Sequence, residues 1–140
     1  MSENAGSDLN NAIENVLKGP ELQMLGGHSI ADKAGHRRAL VRIKWYEHGT
    51  GRTYRQHYLG SDEVPNVEIA VDDVTNVNIY PRDAVPVFVG HYWPTGTPTP
   101  LATNVACTDY SVAEGGKLVA YRWHGETELS ADKFHWVETE

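Results

Sequence analysis

Pro86-Val87-Phe88-Val89-Gly90-His91-Tyr92-Trp93 is the stretch from which the rest of the chain is read. Three β-branched or aromatic residues follow a proline, which predicts a short central strand over Val87-Phe88-Val89, covered on both faces. Gly90 lets the backbone bend or approach a neighbour where a Cβ would clash. His91 then stands at the C-terminal end of the strand, where sheet proteins commonly place chemistry.

Most of the sequence after His91 also reads as sheet. Pro94-Thr95-Gly96-Thr97-Pro98-Thr99-Pro100 excludes regular structure and predicts a stiff extended loop over the His91 end. Asn104 to Tyr110 is a mostly buried strand. Glu114-Gly115-Gly116 turns the chain, and Lys117 to Trp123 is the hairpin partner. His124-Gly125-Glu126 makes another turn, and Phe134 to Glu138 adds an edge strand.

Upstream of the opening stretch the pattern is more mixed. Residues 1–6 are polar and expected to fray, as are 139–140. Ser7 reads as an N-cap, and Leu9, Ala12, Ile13, Val16 and Leu17 make one apolar helical stripe. Lys18 and Gly19-Pro20 end it, so a helix is expected over about 8–18. Residues 19–37 read as a connector. Val41, Ile43 and Trp45 alternate with Arg42, Lys44 and Tyr46, the mark of a half-buried antiparallel strand. Thr53 to Leu59 alternates again, with Tyr54 and Tyr58 on one face, so the two stretches read as a β-hairpin. Val67 to Val71 reads as a short strand or extended segment. Asp72-Asp73 reads as turn chemistry, since adjacent residues on an extended chain face opposite ways. The fold class implied is α+β, mainly β, with one N-terminal helix in a single domain over 1–140.

Composition narrows the function classes. A net charge of −7 argues against nucleic acid or an anionic membrane as the main partner. The N-terminus Met1-Ser2-Glu3-Asn4-Ala5-Gly6 has neither a basic nor an apolar leader region, so no secretory signal is expected. No apolar run reaches the length of a membrane span. The single cysteine, Cys107, excludes an internal disulfide and fits a reducing cytoplasm; its apolar surroundings predict a buried, inert thiol.

Seven histidines invite a metal reading. His28, His36, His48, His57, His124 and His135 show no i,i+4 pair and no Cys/His spacing, and read as surface or hydrogen-bonded side chains. His48 and His57 could face each other across the predicted hairpin, but one pair does not fill a site. His91 and Asp109 could meet on adjacent strands, with no serine or cysteine placed to use them as a triad. No P-loop, dinucleotide-binding fingerprint or Gly-x-Ser-x-Gly motif is present.

Taken in order, Leu17-Lys18-Gly19-Pro20-Glu21, Gly35-His36-Arg37-Arg38, Pro86 to Gly96, Asn104 to Ser111 and Gly115 to Trp123 make a series that resembles the middle and C-terminal end of bacterial calcineurin-like metallophosphoesterases of the serine/threonine phosphatase family. The resemblance spans about residues 9–130. Thr108 departs from it, standing where the family usually has an apolar residue. The resemblance implies a β-sandwich flanked by helices, of which this chain is an incomplete half. It also implies a metal-dependent phosphoesterase whose two divalent ions (Mn, Fe or Zn) hold a hydroxide that attacks phosphorus. In that family the ligands come from five blocks: Asp-x-His, Gly-Asp-x-x-Asp-Arg, Gly-Asn-His, a lone His and a final Gly-His. The last is Gly90-His91, which makes His91 the expected metal ligand; the other four blocks are missing. The chain is then expected to be a C-terminal fragment or split subunit, inactive alone. An N-terminal phosphoesterase half, or self-association, would cover its apolar face. The alternative is a stand-alone interaction module that reuses the sheet, with its tryptophans and tyrosines at an interface.

Overall fold

The computed structural model describes residues 9, 10, 13, 19–24, 27–31, 36–48, 53–60, 64–69 and 79–139. The chain is α+β and mainly β. It divides into two compact units, Met1–Ile79 and Tyr80–Glu140. Among the described residues, no helix is long and apolar enough to cross a membrane.

In the first unit Leu9, Asn10 and Ile13 are helical, as the 8–18 helix requires; its other positions lie outside the described residues. Leu9 and Ile13 stand exposed. The predicted connector contains strands instead. β1 (Glu21–Gln23) pairs antiparallel with β4 (Leu40–Arg42), and β2 (Ile30–Ala31) with β3 (Arg37–Arg38). Leu22 opposite Val41 supplies the apolar pair that a propensity scan of residues 19–37 undervalues. Met24, Ile30, Val41, Ile43, Tyr54, Val64 and Ile69 form the core of this unit.

The predicted hairpin over 38–59 is corrected. Tyr54–His57 is one helical turn, not a strand. Thr53 is its N-cap: its Oγ1 accepts from the Gln56 N–H at 3.4 Å, and Gln56 Oε1 accepts from the Thr53 N–H at 3.1 Å. This reciprocal capping box satisfies two donors that a strand would direct to a neighbour. Tyr54 and Tyr58 still share a side: Tyr54 lies in the core of this unit, and Tyr58, the extended C-cap, packs against that core. The two stretches touch through an Ile43–Tyr58 bridge and the Lys44 N–H to His57 carbonyl bond of 2.7 Å. Strand β4 stops at Arg42, and Trp45 and Tyr46 form a turn. Glu68 makes an antiparallel bridge to Thr53 and the Val67 carbonyl accepts from the Tyr54 N–H, whereas Ala70 to Asp73 lie outside the described residues.

The second unit follows the sequence reading more closely. β5 (Val87–Val89) pairs in parallel with β6 (Val105–Cys107), in the register Val87–Val105, Phe88–Ala106, Val89–Cys107. A parallel pair needs a long crossover, and the proline-rich segment 90–104 provides it without a regular element. Asn104, 1% exposed, fixes the entry to β5: its Nδ2 donates to the Pro81 and Ala84 carbonyls at 2.8 and 3.0 Å. After Thr108 the chain enters a second sheet, in which β7 (Asp109–Tyr110), β8 (Lys117–Tyr121) and β9 (Phe134–Glu138) are antiparallel in that order. Ala106, Tyr110, Val119, Leu129 and Phe134 are its buried core. The β8–β9 connection is held by Glu126, which accepts from Tyr121 Oη, the His124 N–H and Lys133 Nζ. Lys133, more than any other contact, lowers its carboxyl to about 2.

Two expectations in this unit change. β5 is not covered on both faces: Phe88 points away from Val87 and Val89, meets the rings of Tyr121 and Trp123 at 5.2 and 6.3 Å, and remains 40% exposed. Thr139, expected to fray, donates through both its N–H and its Oγ1 to the Gly116 carbonyl.

Candidate functional site

The expected site residue, His91, sits just beyond the C-terminal end of β5, beside the start of β7. Its side chain is exposed. The feature that organises the region is the Asp109 carboxylate. Oδ2 accepts from the His91 N–H at 2.9 Å and from the Trp93 indole Nε1–H at 3.2 Å, and Oδ1 accepts from the Ser111 N–H at 3.1 Å. His91, Trp93 and Ser111 have φ of 63°, 49° and 56°, and no other described residue apart from glycine has a positive φ. Left-handed backbone is costly for residues with a Cβ. Here all three such residues hang on one acceptor, whose charge strengthens each bond. The indole of Trp93 stands edge-on to the His91 imidazole, with centroids 4.7 Å apart.

The electrostatics agree with this geometry. Burial raises the Asp109 carboxyl, but the His91 and Ser111 N–H groups, the Trp93 indole and the His91 charge outweigh it and hold it below the usual carboxylate range. Beneath it, Cys107 is fully buried and donates to the Asp109 carbonyl at 3.6 Å. Burial pushes its thiol above the ordinary value, which suits the inert role expected for it.

The pairing of His91 with Asp109 was legible from the strand order. The roles of Trp93 and Ser111 were missed. For Ser111 there was a signal: an aspartate two residues ahead commonly caps the backbone N–H in an Asx-turn. No local signal marks the Trp93 indole, which reaches Asp109 across the crossover. Of the other histidines, His28, His36, His124 and His135 are exposed and His48 is half-buried, but His57 is buried, at 2% exposed, within the helical turn. Among the described residues no group of three or more His, Cys, Asp or Glu side chains could hold a metal ion.

Asp109→Ala is expected to cost about 2 kcal/mol, since three donors lose a charged acceptor in a partly exposed site. Asp109→Asn should recover part of this, because its amide nitrogen cannot accept. Urea unfolding of the three proteins measures both; equal stability of Asp109→Ala and the parent would refute the role. The sign with pH follows from the lowered carboxyl. Its contribution is complete above the unfolded-state value and is lost as pH falls through the folded one, so the gap between parent and Asp109→Ala should close in acid.

No family model, curated protein or solved structure matches this chain.

Proposed function

We propose that this chain is the C-terminal part of a two-metal phosphoesterase, inactive by itself, with His91 as one metal ligand and the remaining ligands supplied by a partner chain. The observation that carries the reading is the ordered series of family-like stretches from Leu17 to Trp123, which includes the ligand block Gly90-His91. Its support in the geometry is an exposed imidazole at a strand end, on a backbone pinned by Asp109.

The donors present do not fit a metal pair. Two ions need about four to six ligands each, and Asp109, the nearest carboxylate, already accepts three N–H bonds. A single imidazole does not retain a divalent ion tightly. What His91 brings is one imidazole nitrogen donor on a constrained backbone. When bound, the metals would supply a hydroxide nucleophile and charge neutralisation at phosphorus.

The test is a phosphatase assay with Mn²⁺ and p-nitrophenyl phosphate, on the chain alone and mixed with a chain carrying the Asp-x-His, Gly-Asp-x-x-Asp-Arg, Gly-Asn-His and lone-His blocks. No turnover is expected alone. The mixture should turn over, and His91→Ala should reduce this by about 100-fold or more. Turnover by the chain alone that depends on His91 would refute the split-site reading, and an inactive mixture would refute the enzyme reading.

A second reading, an interaction module, is favoured by the outer face of the β7–β8–β9 sheet. Leu118 and Val137 are cross-strand partners there, 59% and 62% exposed. Contiguous exposed apolar surface, as distinct from single residues, is what marks interaction sites. An inactive mixture together with a stable, monodisperse chain on a sizing column would leave this reading standing.

A further inference from the structure

Beside Trp93 the second unit has a pocket of about 380 Å³, within the size range of small-ligand sites. Its lining includes Trp93 and Pro94 from the crossover, Glu114 and the Gly115-Gly116 turn, and Lys117 and Glu138. The charges inside do not cancel. Lys117 Nζ donates to the Gly96 carbonyl at 2.9 Å and lies 3.3 Å from Glu138 Oε1, so these two neutralise each other. The Glu114 carboxylate, in contrast, has no ion pair or side-chain hydrogen bond with a described residue. Trp93 is 55% exposed, yet its indole is already fixed by the bond to Asp109 and the edge contact with His91. A fixed aromatic ring and an uncompensated carboxylate lining one pocket suit a cation: the ring face attracts it through its quadrupole, and the carboxylate through a charge-assisted hydrogen bond. Ordering the ring beforehand lowers the entropy cost of binding. The chain's net charge of −7 adds long-range attraction.

We infer that this pocket binds a guanidinium or alkylammonium group between Trp93 and Glu114. The inference is independent of the phosphoesterase reading, because it uses neither a metal nor the His91 side chain as a ligand. The group could belong to a small free cation or to a basic side chain in a peptide.

The test is two-dimensional proton–nitrogen NMR of the full chain, following the Trp93 indole N–H during titration. The probes are N-acetyl-arginine amide and the tripeptide Ala-Arg-Ala, each beside its citrulline counterpart, which keeps the shape without the charge. The arginine probes should bind with Kd on the order of 1 mM, more weakly as salt is added, and the citrulline probes should not bind. Glu114→Gln, a neutral change at an exposed turn, should weaken binding about 5- to 10-fold. Glu128→Gln, outside the pocket, should leave it unchanged. Tighter binding of the tripeptide than of the amide assigns the site to peptides, and equal binding assigns it to free cations. Citrulline probes that bind equally well, or a Glu114→Gln affinity equal to the parent's, would overturn the inference.

Discussion

Phe134→Ala is expected to remove most of the stability of the Tyr80–Glu140 unit. Phe134 is 4% exposed and belongs to a buried cluster of Ala106, Tyr110, Val119, Leu129 and itself. It also stands edge-on to Tyr121, with centroids 5.0 Å apart, a geometry that adds to simple burial. Truncating a buried Phe to Ala costs about 3–5 kcal/mol, through lost transfer energy and the cavity left behind. A whole domain is commonly stable by only about 5–15 kcal/mol, and this core is small. With a typical urea dependence, the midpoint should fall by roughly 2 M. Trp123 and Trp136 supply a fluorescence signal in the same unit. Phe134→Leu keeps most of the volume and should cost less than about 1.5 kcal/mol. A midpoint for Phe134→Ala within about 0.5 M of the parent would mean that the cluster does not hold the unit together.

Gly116→Ala should have a comparable effect for a different reason. A Cβ at Gly116 would overlap the carbonyl oxygen of Tyr110 and press on the carbonyl of Ser111. These are backbone atoms at the end of the β7–β8 hairpin, where Tyr110 pairs with Lys117, so no side chain can swing away. Relief must come from opening the turn. That strains the Gly116 N–H bond to the Ser111 carbonyl and the two Thr139 bonds to the Gly116 carbonyl. The expected cost is about 3 kcal/mol or more. Gly115 is the internal comparison. Its φ is 80°, but nothing lies within 4 Å of a Cβ added there. Gly115→Ala therefore carries the left-handed backbone cost alone, about 1 kcal/mol. Thermal melts of the two variants separate the cases; equal losses would show that close approach at Gly116 is not what closes the hairpin.

The two units differ in how far they could be read from sequence, and particular residues show why. Lys117 to Tyr121 and Phe134 to Glu138 pair with near neighbours in the chain, and the turns between them carry Gly115, Gly116 and Gly125. Such antiparallel pairing is set by alternation and turn chemistry over short range. The Thr53 to Leu59 stretch was misread because Tyr54, Gln56 and Tyr58 alternate as in a strand. The capping box from Thr53 to Gln56, equally visible, was the better guide, and Tyr54 buried in the core confirms the helical choice. The pairing of β1 with β4 was not legible, since neither Glu21–Gln23 nor Leu40–Arg42 selects its partner by local pattern.

The candidate site divides in the same way. The sequence by itself determined that a short strand runs into Gly90-His91 and that Cys107 and Asp109 lie in a mostly buried strand stretch, which it read as one strand from Asn104 to Tyr110 and which the structure breaks at Thr108 into β6 and β7. Each of these rests on neighbours within a few residues, where side-chain periodicity and turn preference act. Only the tertiary structure decided that β5 and β6 run parallel across a proline-rich crossover. That arrangement carries His91 and Trp93 to one carboxylate and leaves Trp93 lining one pocket with Glu114. The physical reason is that the parallel pairing and the left-handed corners at His91 and Trp93 are held by hydrogen bonds between distant residues. Such contacts offset their ordering entropy only when all are made together.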